Sequence, residues 1–283
     1  MLIIKIIGIV VLIAVVLYLL AIMPHMRNRP SLKPFQGWYY AHRGLHNNKT
    51  DAPENTLAAF RKAVEAGYGI ELDIQLTKDK VPVVIHDYTL KRVCKQDIRV
   101  DSLTLKELHR YTVYKSKEKI PTLAEVLELV AGRVPLIVEF KVEAVDLSLC
   151  EIAPPLLDRY KGVWCMESFN PLCVRWYKKN RPKVMRGQLS DHFAKSGEKG
   201  NRLLFWFLKS LIFNFLTKPD FIAYNHHYPN TWSLVIDKAL YRIPTFAWTI
   251  RSQEELEAAR KRFDFMIFDR FIPKKEASHS IPS

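Results

Sequence analysis

Ile70-Glu71-Leu72-Asp73-Ile74-Gln75-Leu76, then Thr77-Lys78-Asp79-Lys80, then Val81-Pro82-Val83-Val84-Ile85-His86: this stretch decides how the rest of the chain reads. Its first run predicts a strand, and the period of two puts Glu71 and Asp73 on one face of it. The second run is also strand-like. The gap between them is too short for a crossover helix, because parallel neighbours need about a dozen residues. Asp79-Lys80 therefore predicts a hairpin. Outward from this pair, further strands are expected at Trp38–His42, Leu136–Lys141, Val163–Phe169, Val184–Leu189, Phe221–Asn225, Thr245–Ile250 and Phe263–Phe268. Helical patterns lie between most of them. Asn55 to Ala66 places Leu57, Phe60, Ala63 and Val64 on one helix face. Thr122 with Glu125, and Ser252 with Glu255, have the spacing of capping boxes. Alternating strands and helices over about 250 residues predict an α/β fold, a (β/α)8 TIM barrel. Nine strands for eight places, with one hairpin, predict that it is somewhat distorted.

The 283 residues are 48% hydrophobic and 25% charged, which excludes intrinsic disorder for the body. Cys94, Cys150, Cys165 and Cys173 form no C-x-x-C pair, so free, buried thiols are expected rather than a zinc module or a disulfide scaffold. Forty-three Lys and Arg against 29 Asp and Glu give a net charge of +14, which calls for an anionic partner. Nucleic acid is not that partner by motif, because no RNA- or DNA-reading signature is present. Ile6 to Met23 is 18 residues without a charge, about enough to cross a hydrocarbon core of about 30 Å. The run is long for a signal-peptide core and lacks a small-x-small cleavage site, so a retained single-pass anchor in the cell membrane is expected. Arg27, Arg29 and Lys33 follow it while only Lys5 precedes it, and the positive-inside rule places the body in the cytoplasm. The expected organisation is an anchor at 1–23, a juxtamembrane linker at 24–37, the barrel at 38–273 and a flexible tail at 274–283.

Polar residues gather where strands end, the end at which barrel enzymes keep their active sites. They are His42-Arg43-Gly44, Glu71-Leu72-Asp73, His86-Asp87 and Glu139-Phe140-Lys141. Three carboxylates on an inward face repel one another unless a cation sits among them. Oxygen-only ligation suits one hard divalent cation, Mg²⁺ or Ca²⁺, and argues against zinc. Two histidines at equivalent strand ends suit general acid and base work. Arg43 and Lys141 are suited to a phosphodiester anion.

His42-Arg43-Gly44, Pro53-Glu54-Asn55-Thr56, Glu71-Leu72-Asp73, His86-Asp87, Pro121-Thr122-Leu123, Glu139-Phe140-Lys141, Ser168-Phe169 and Trp248-Thr249 together resemble the glycerophosphodiester phosphodiesterase family, from about Ala41 to Asp269. The resemblance implies a phospholipase C-like barrel and metal-dependent hydrolysis of glycerophosphodiesters to glycerol 3-phosphate and an alcohol. By motif it makes His42 and His86 the acid/base pair, with His42 the first base and His86 the first acid on a cyclic-phosphate route. It gives Glu71, Asp73 and Glu139 to the cation, and Arg43, Asn55 and Lys141 to the substrate phosphate. Trp248 would form an aromatic wall beside the substrate. Glu54 is explained nearly as well by stabilising the first turn of a helix. Arg251 stands where the family often has Asn, which bears on the leaving group. His226-His227 reads as a solvated loop.

A rival substrate is a membrane lysophospholipid, cleaved in the manner of a lysophospholipase D. The anchor, the basic charge and the run Leu203–Leu216 favour it. A non-enzymatic scaffold would normally lack one of the two histidines or three carboxylates, and all five are here. Leu203–Leu216 is too short to span a bilayer, yet apolar nearly all round and flanked by Lys199, Arg202 and Lys218. It is expected to be a second membrane contact.

Overall fold

The computed structural model describes residues 1–197 and 199–274, so the tail expected at 274–283 lies, beyond Lys274, outside the described residues. Nine strands form one sheet: β1 (Tyr39–His42), β2 (Gly69–Leu76), β3 (Pro82–Val84), β4 (Leu136–Phe140), β5 (Trp164–Ser168), β6 (Arg186–Ser190), β7 (Phe221–Asn225), β8 (Thr245–Ile250) and β9 (Phe265–Phe268). Eight of them are parallel, and β1 pairs with both β2 and β9, which closes the TIM barrel. The ninth, β3, runs antiparallel to β2 with Ile74 opposite Val84, the expected hairpin.

Alternation along each strand sorts the side chains. Leu72, Ile74, Val138 and Met166 face outward into the shell between sheet and helices. Tyr40, Ile137 and Cys165 face inward with Phe221, Phe246 and Ile267, a packed apolar floor. Two residues further along β1, β4 and β5 come His42, Glu139 and Glu167, so the same period carries the interior from apolar floor to charged rim.

The first helix of the body is Leu57–Glu65, capped by Thr56, whose side chain accepts from Ala59 N. Thr122 and Glu125 form the expected reciprocal box on Leu123–Val130. The second expected box is half made: Ser252 caps Glu255 N, but the Glu255 carboxylate accepts from Arg251 N instead. Residues 85–120, between β3 and the helix at 123, fold over a small core of their own that includes Ile85, Leu90, Val93, Leu108 and Val113.

Leu2–Ile22 is one long apolar helix, exposed over most of its length. Its last carbonyls have no partners within the helix and are met by the barrel. Tyr241 Oη donates to Leu19 O at 2.8 Å, Asn214 Nδ2 to Ile22 O at 2.9 Å and Lys218 Nζ to Met23 O at 2.9 Å. The residues expected as a linker are packed too. His25 Nδ1 lies 2.6 Å from Asp220 Oδ1, and Phe35 is buried under the barrel floor.

Candidate active site

The site sits at the C-terminal rim, and the registers bring its members together: His42 is opposite Glu71, and Asp73 opposite Glu139, which in turn is opposite Glu167. Glu71, Asp73 and Glu139 are all buried, and each offers an oxygen within 4.8 Å of the others. That spacing and all-oxygen chemistry suit a hard cation with metal–oxygen distances of about 2.0–2.6 Å.

Local backbone geometry aims these groups. Arg43 and Gly44 are both left-handed, with φ of 58° and 82°. A Cβ on Gly44 would lie 3.0 Å from Ala59 and Phe60, so the turn can lie against the Leu57–Glu65 helix only as glycine. The turn directs Arg43 N to Glu71 Oε2 at 3.1 Å. Asn55, also left-handed at 56°, donates its backbone N–H to Arg43 O at 2.9 Å and its side chain to Asp73 Oδ2 at 2.9 Å. The residues expected on the substrate phosphate therefore also position the carboxylates.

Lys141 Nζ lies 2.7 Å from Glu139 Oε1 and 3.0 Å from Asp73 Oδ1, and Arg43 Nε 3.4 Å from Asp73 Oδ2. These two cations do not balance the acids. Burial pushes Glu71 well up, with help from Asp73, Glu139 and Glu167, and raises Glu139 to about 7. Burial works against ionising Asp73 as well, but Lys141, His86 and Arg43 hold it well below the usual range. Glu167, not singled out in the sequence, is a fourth buried acid, raised well above normal by burial and by Glu139. Its Oε2 is buried with no hydrogen-bond partner. A cluster in which three of four carboxyls resist ionisation has the electrostatics of a cation site, and the donor set fits one hard ion.

The two histidines differ. His42 is mostly buried; its Nε2 is 3.9 Å from Glu71 Oε2 and its Nδ1 4.0 Å from Asp269 Oδ2. Burial, then Arg43, lowers its pKa well below normal, so the imidazole is neutral. His86 Nδ1 lies 2.7 Å from Asp87 Oδ1, a carboxylate that can only accept, which puts the proton on Nδ1 and leaves Nε2 available. Asp87 also accepts from Arg92 Nε at 2.7 Å, and Arg92 donates to Glu54 at 2.7 and 2.8 Å. Glu54 closes the chain by accepting from Arg43 Nη1 at 2.8 Å. Glu54 is thus buried in the site's network and is no ordinary first-turn acid. Asp87 was visible in the sequence beside His86. Arg92 had no local signal, because only the folding of 85–120 returns it to the rim.

The other side of the mouth is aromatic. A cavity of about 540 Å³ is lined by His86, Glu139 and Lys141 on one side and by Phe169, Trp248 and Phe205 on the other. Phe169 meets Trp248 edge-on at 5.6 Å. Of the pair read as a solvated loop, only His227 fits. The His226 ring is 6% exposed, 3.5 Å from Glu255, and its backbone N–H donates to Trp248 O at 3.0 Å. Arg251 is exposed and lies 3.6 Å from Asp269 Oδ2, outside the carboxylate cluster.

The chain is similar to known phosphodiesterases. A glycerophosphodiester phosphodiesterase of Caldanaerobacter subterraneus is 38% identical over 161 residues, 53% of this chain and 65% of the relative. Human glycerophosphodiester phosphodiesterase 1 is 43% identical over 96 residues, 31% of this chain and 28% of that protein. The chain thus matches less than two-thirds of the length of these curated relatives. Among solved structures, an Oleispira antarctica phosphodiesterase in complex with the product sn-glycerol-3-phosphate superposes with a TM-score of 0.66 at 23% identity, covering 82% of this chain and 92% of that one. A glycerophosphodiester phosphodiesterase from Thermotoga maritima gives 0.60 at 27% identity, covering 82% and 94%. With the glycerophosphoryl diester phosphodiesterase profile matching residues 42–271, nearly the whole barrel, the chain belongs to that family.

Proposed function

We propose that the chain is a membrane-anchored phosphodiester hydrolase that cleaves glycerophosphodiesters to glycerol 3-phosphate and an alcohol. The observation that carries this reading is the placement of Glu71, Asp73 and Glu139, with oxygens within 4.8 Å of one another, between His42 and His86. Those three acids would hold one divalent cation, Mg²⁺ or Ca²⁺. When bound, it supplies positive charge for the phosphate oxygens, on which negative charge grows in the transition state. His42 takes the proton of the glycerol 2-hydroxyl as that oxygen attacks phosphorus, and His86, which enters the step with a second proton on Nε2 while Asp87 accepts from Nδ1, gives that proton to the departing alcohol. Hydrolysis of the cyclic phosphate then exchanges the roles: His86 takes a proton from water, and His42 returns one to the 2-oxygen. Arg43, Asn55 and Lys141 orient the phosphate while they position the carboxylates, and Trp248 walls the leaving-group side. The chain would divide as anchor 1–23, connecting segment 24–37 and barrel 38–273.

One observation favours a second substrate, a membrane lysophospholipid. Phe205, which lines the cavity, belongs to the helix Arg202–Lys209, whose Leu203, Leu204 and Trp206 are exposed. An acyl chain would find an apolar path there. In this reading Leu2–Ile22 anchors the protein in the cell membrane, the basic residues after it hold the body on the cytoplasmic side, and 203–216 touches the lipid. The deciding assay uses the full chain with glycerophosphocholine, glycerophosphoethanolamine and lysophosphatidylcholine, each with Mg²⁺ or Ca²⁺. Release of glycerol 3-phosphate is expected from the first two. Exclusive turnover of lysophosphatidylcholine would make the lipid the substrate, and no turnover of any would overturn the hydrolase.

A further inference from the structure

A second cavity lies where the apolar helix leaves the barrel. It is a groove of about 720 Å³ between Tyr18 of that helix, Trp206 and Lys209 of the helix Arg202–Lys209, and Trp232 at the start of the helix Trp232–Tyr241. Lys195, His192 and His227 complete its polar side, and among the described residues no carboxylate lines it. Such a lining fits a compact anion bounded by apolar surface.

The depth of the groove is set by the helix. Tyr18 comes one turn before the end at Ile22, about 6 Å along the axis, so the groove lies at the level where a spanning helix meets headgroups. Trp206 is 50% exposed and Trp232 80%. Two large amphipathic rings held open beside a membrane helix match the aromatic belt of a membrane–water interface. The walls are well fixed to the body. Asn201 caps the helix bearing Trp206 and Lys209, Ser190 Oγ donates to Leu208 O at 2.9 Å, and Phe205 stacks on Phe193 at 4.9 Å. Lys195 Nζ lies over the Tyr228 ring at 5.9 Å, which holds its ammonium near the groove.

The direction of the helix matters as well. Met23 and His25 bond to Lys218 and Asp220 just before β7 begins, whereas Tyr18 lines the groove with residues that follow the end of β7. The helix therefore leaves the body toward the rim that carries the site. A smaller cavity of about 240 Å³ shares Trp206 and Lys209 with the groove and Phe193 and Phe205 with the active-site cavity.

We propose that this groove binds the headgroup of an anionic glycerophospholipid from the bilayer that receives Leu2–Ile22. Lys195 and Lys209 take the phosphate, and Trp206 and Trp232 bracket it at the acyl boundary. The bound lipid fixes the rim against the membrane surface. The inference rests on the membrane reading of Leu2–Ile22, which flotation with purely phosphatidylcholine vesicles tests separately.

The experiment uses the full chain in phosphatidylcholine vesicles containing equal mole fractions of either brominated phosphatidylglycerol or brominated phosphatidylcholine, with tryptophan quenching as the readout. Brominated phosphatidylglycerol is expected to quench more strongly, and Trp206→Phe and Trp232→Phe each to remove part of the excess. Replacing both Lys195→Ser and Lys209→Ser should reduce the preference for the anionic lipid by about five-fold per lysine, with flotation and melting temperature unchanged. Equal quenching by the two lipids overturns the proposal even where the protein floats. So does an excess that survives the double substitution, or one abolished by millimolar inorganic phosphate, which would mark a free-anion site. Failure to float overturns the anchor and the proposal together.

Discussion

The β1–β4 side of the mouth and the β5–β8 side are built by different forces. On the first, His86, Asp87, Arg92, Glu54 and Arg43 form one continuous chain of short polar contacts beside the carboxylate cluster. On the second, Phe169, Trp248, Phe193 and Phe205 meet by ring contacts and few hydrogen bonds. Buried charges penalise any missing partner heavily, whereas apolar contacts lose only the area removed. The first side should therefore resist change and carry the chemistry. The second can vary, and on the proposed function it is the side that would set the choice between soluble and lipid substrate.

The largest test of this contrast removes the cation. Chelation should abolish turnover, Mg²⁺ or Ca²⁺ should restore it, and Glu71→Gln should lose most activity while circular dichroism stays native. Full activity in excess chelator would remove the metal from the account. Next, His42→Ala and His86→Ala should each slow turnover about 10²–10⁴-fold, with metal affinity, read by titration calorimetry, nearly unchanged.

The β5–β8 half also buries a carboxyl away from the mouth, beside the residues that meet the end of the apolar helix. Asp237 is fully buried; one oxygen accepts from Asn214 at 3.0 Å and the other has no partner. Burial raises it to about 8. A carboxyl with a raised folded pKa keeps its proton in the fold and loses it in the unfolded chain, so stability falls as pH rises from about 4 to about 8. Asp237→Asn should therefore stabilise by about 1–3 kcal/mol near pH 8 and by almost nothing below pH 4, measured by urea melts at both. An equal gain at both pH values would mean that the carboxyl is ionised in the fold. Asp87→Asn, which weakens the orientation of His86 without touching substrate, should lower kcat about tenfold and leave KM alone. The smallest effect is expected from Phe205→Ala: about threefold in KM for lysophosphatidylcholine, and none for glycerophosphocholine. Equal changes for both substrates would mean that the aromatic side is no more than scaffold.

Most of the fold was legible in local pattern. The nine strands stand within a few residues of their expected places, because period-two alternation and the strand-end polar groups are properties of short segments. The hairpin followed from a loop length alone. The core of the site was legible for the same reason: Glu71 with Asp73, and Glu139 with Lys141, are two residues apart, and a strand puts such residues on one face. Glu167 was missed because a single acid in an apolar strand carries no spacing signal. Its role depends on lying opposite Glu139 across the ladder.

Leu203–Leu216 marks the limit. Hydrophobicity alone suggested one element, apolar all round. The structure breaks it after Lys209, buries Leu211 and Asn214, and turns Leu203, Trp206 and Phe215 outward. The segment 24–37 read as a linker because three prolines and scattered cations carry no period, yet it packs through His25 and Phe35. Local pattern encodes the strands, the order of the rim residues and the apolar helix, since each depends on neighbours a few positions apart. Which acids come within reach of one another, how Arg92 joins His86 to Arg43, and which way the helix leaves the barrel are set by tertiary contacts alone. Those depend on registers between strands and on contacts between residues tens to hundreds of positions apart, which no local period records.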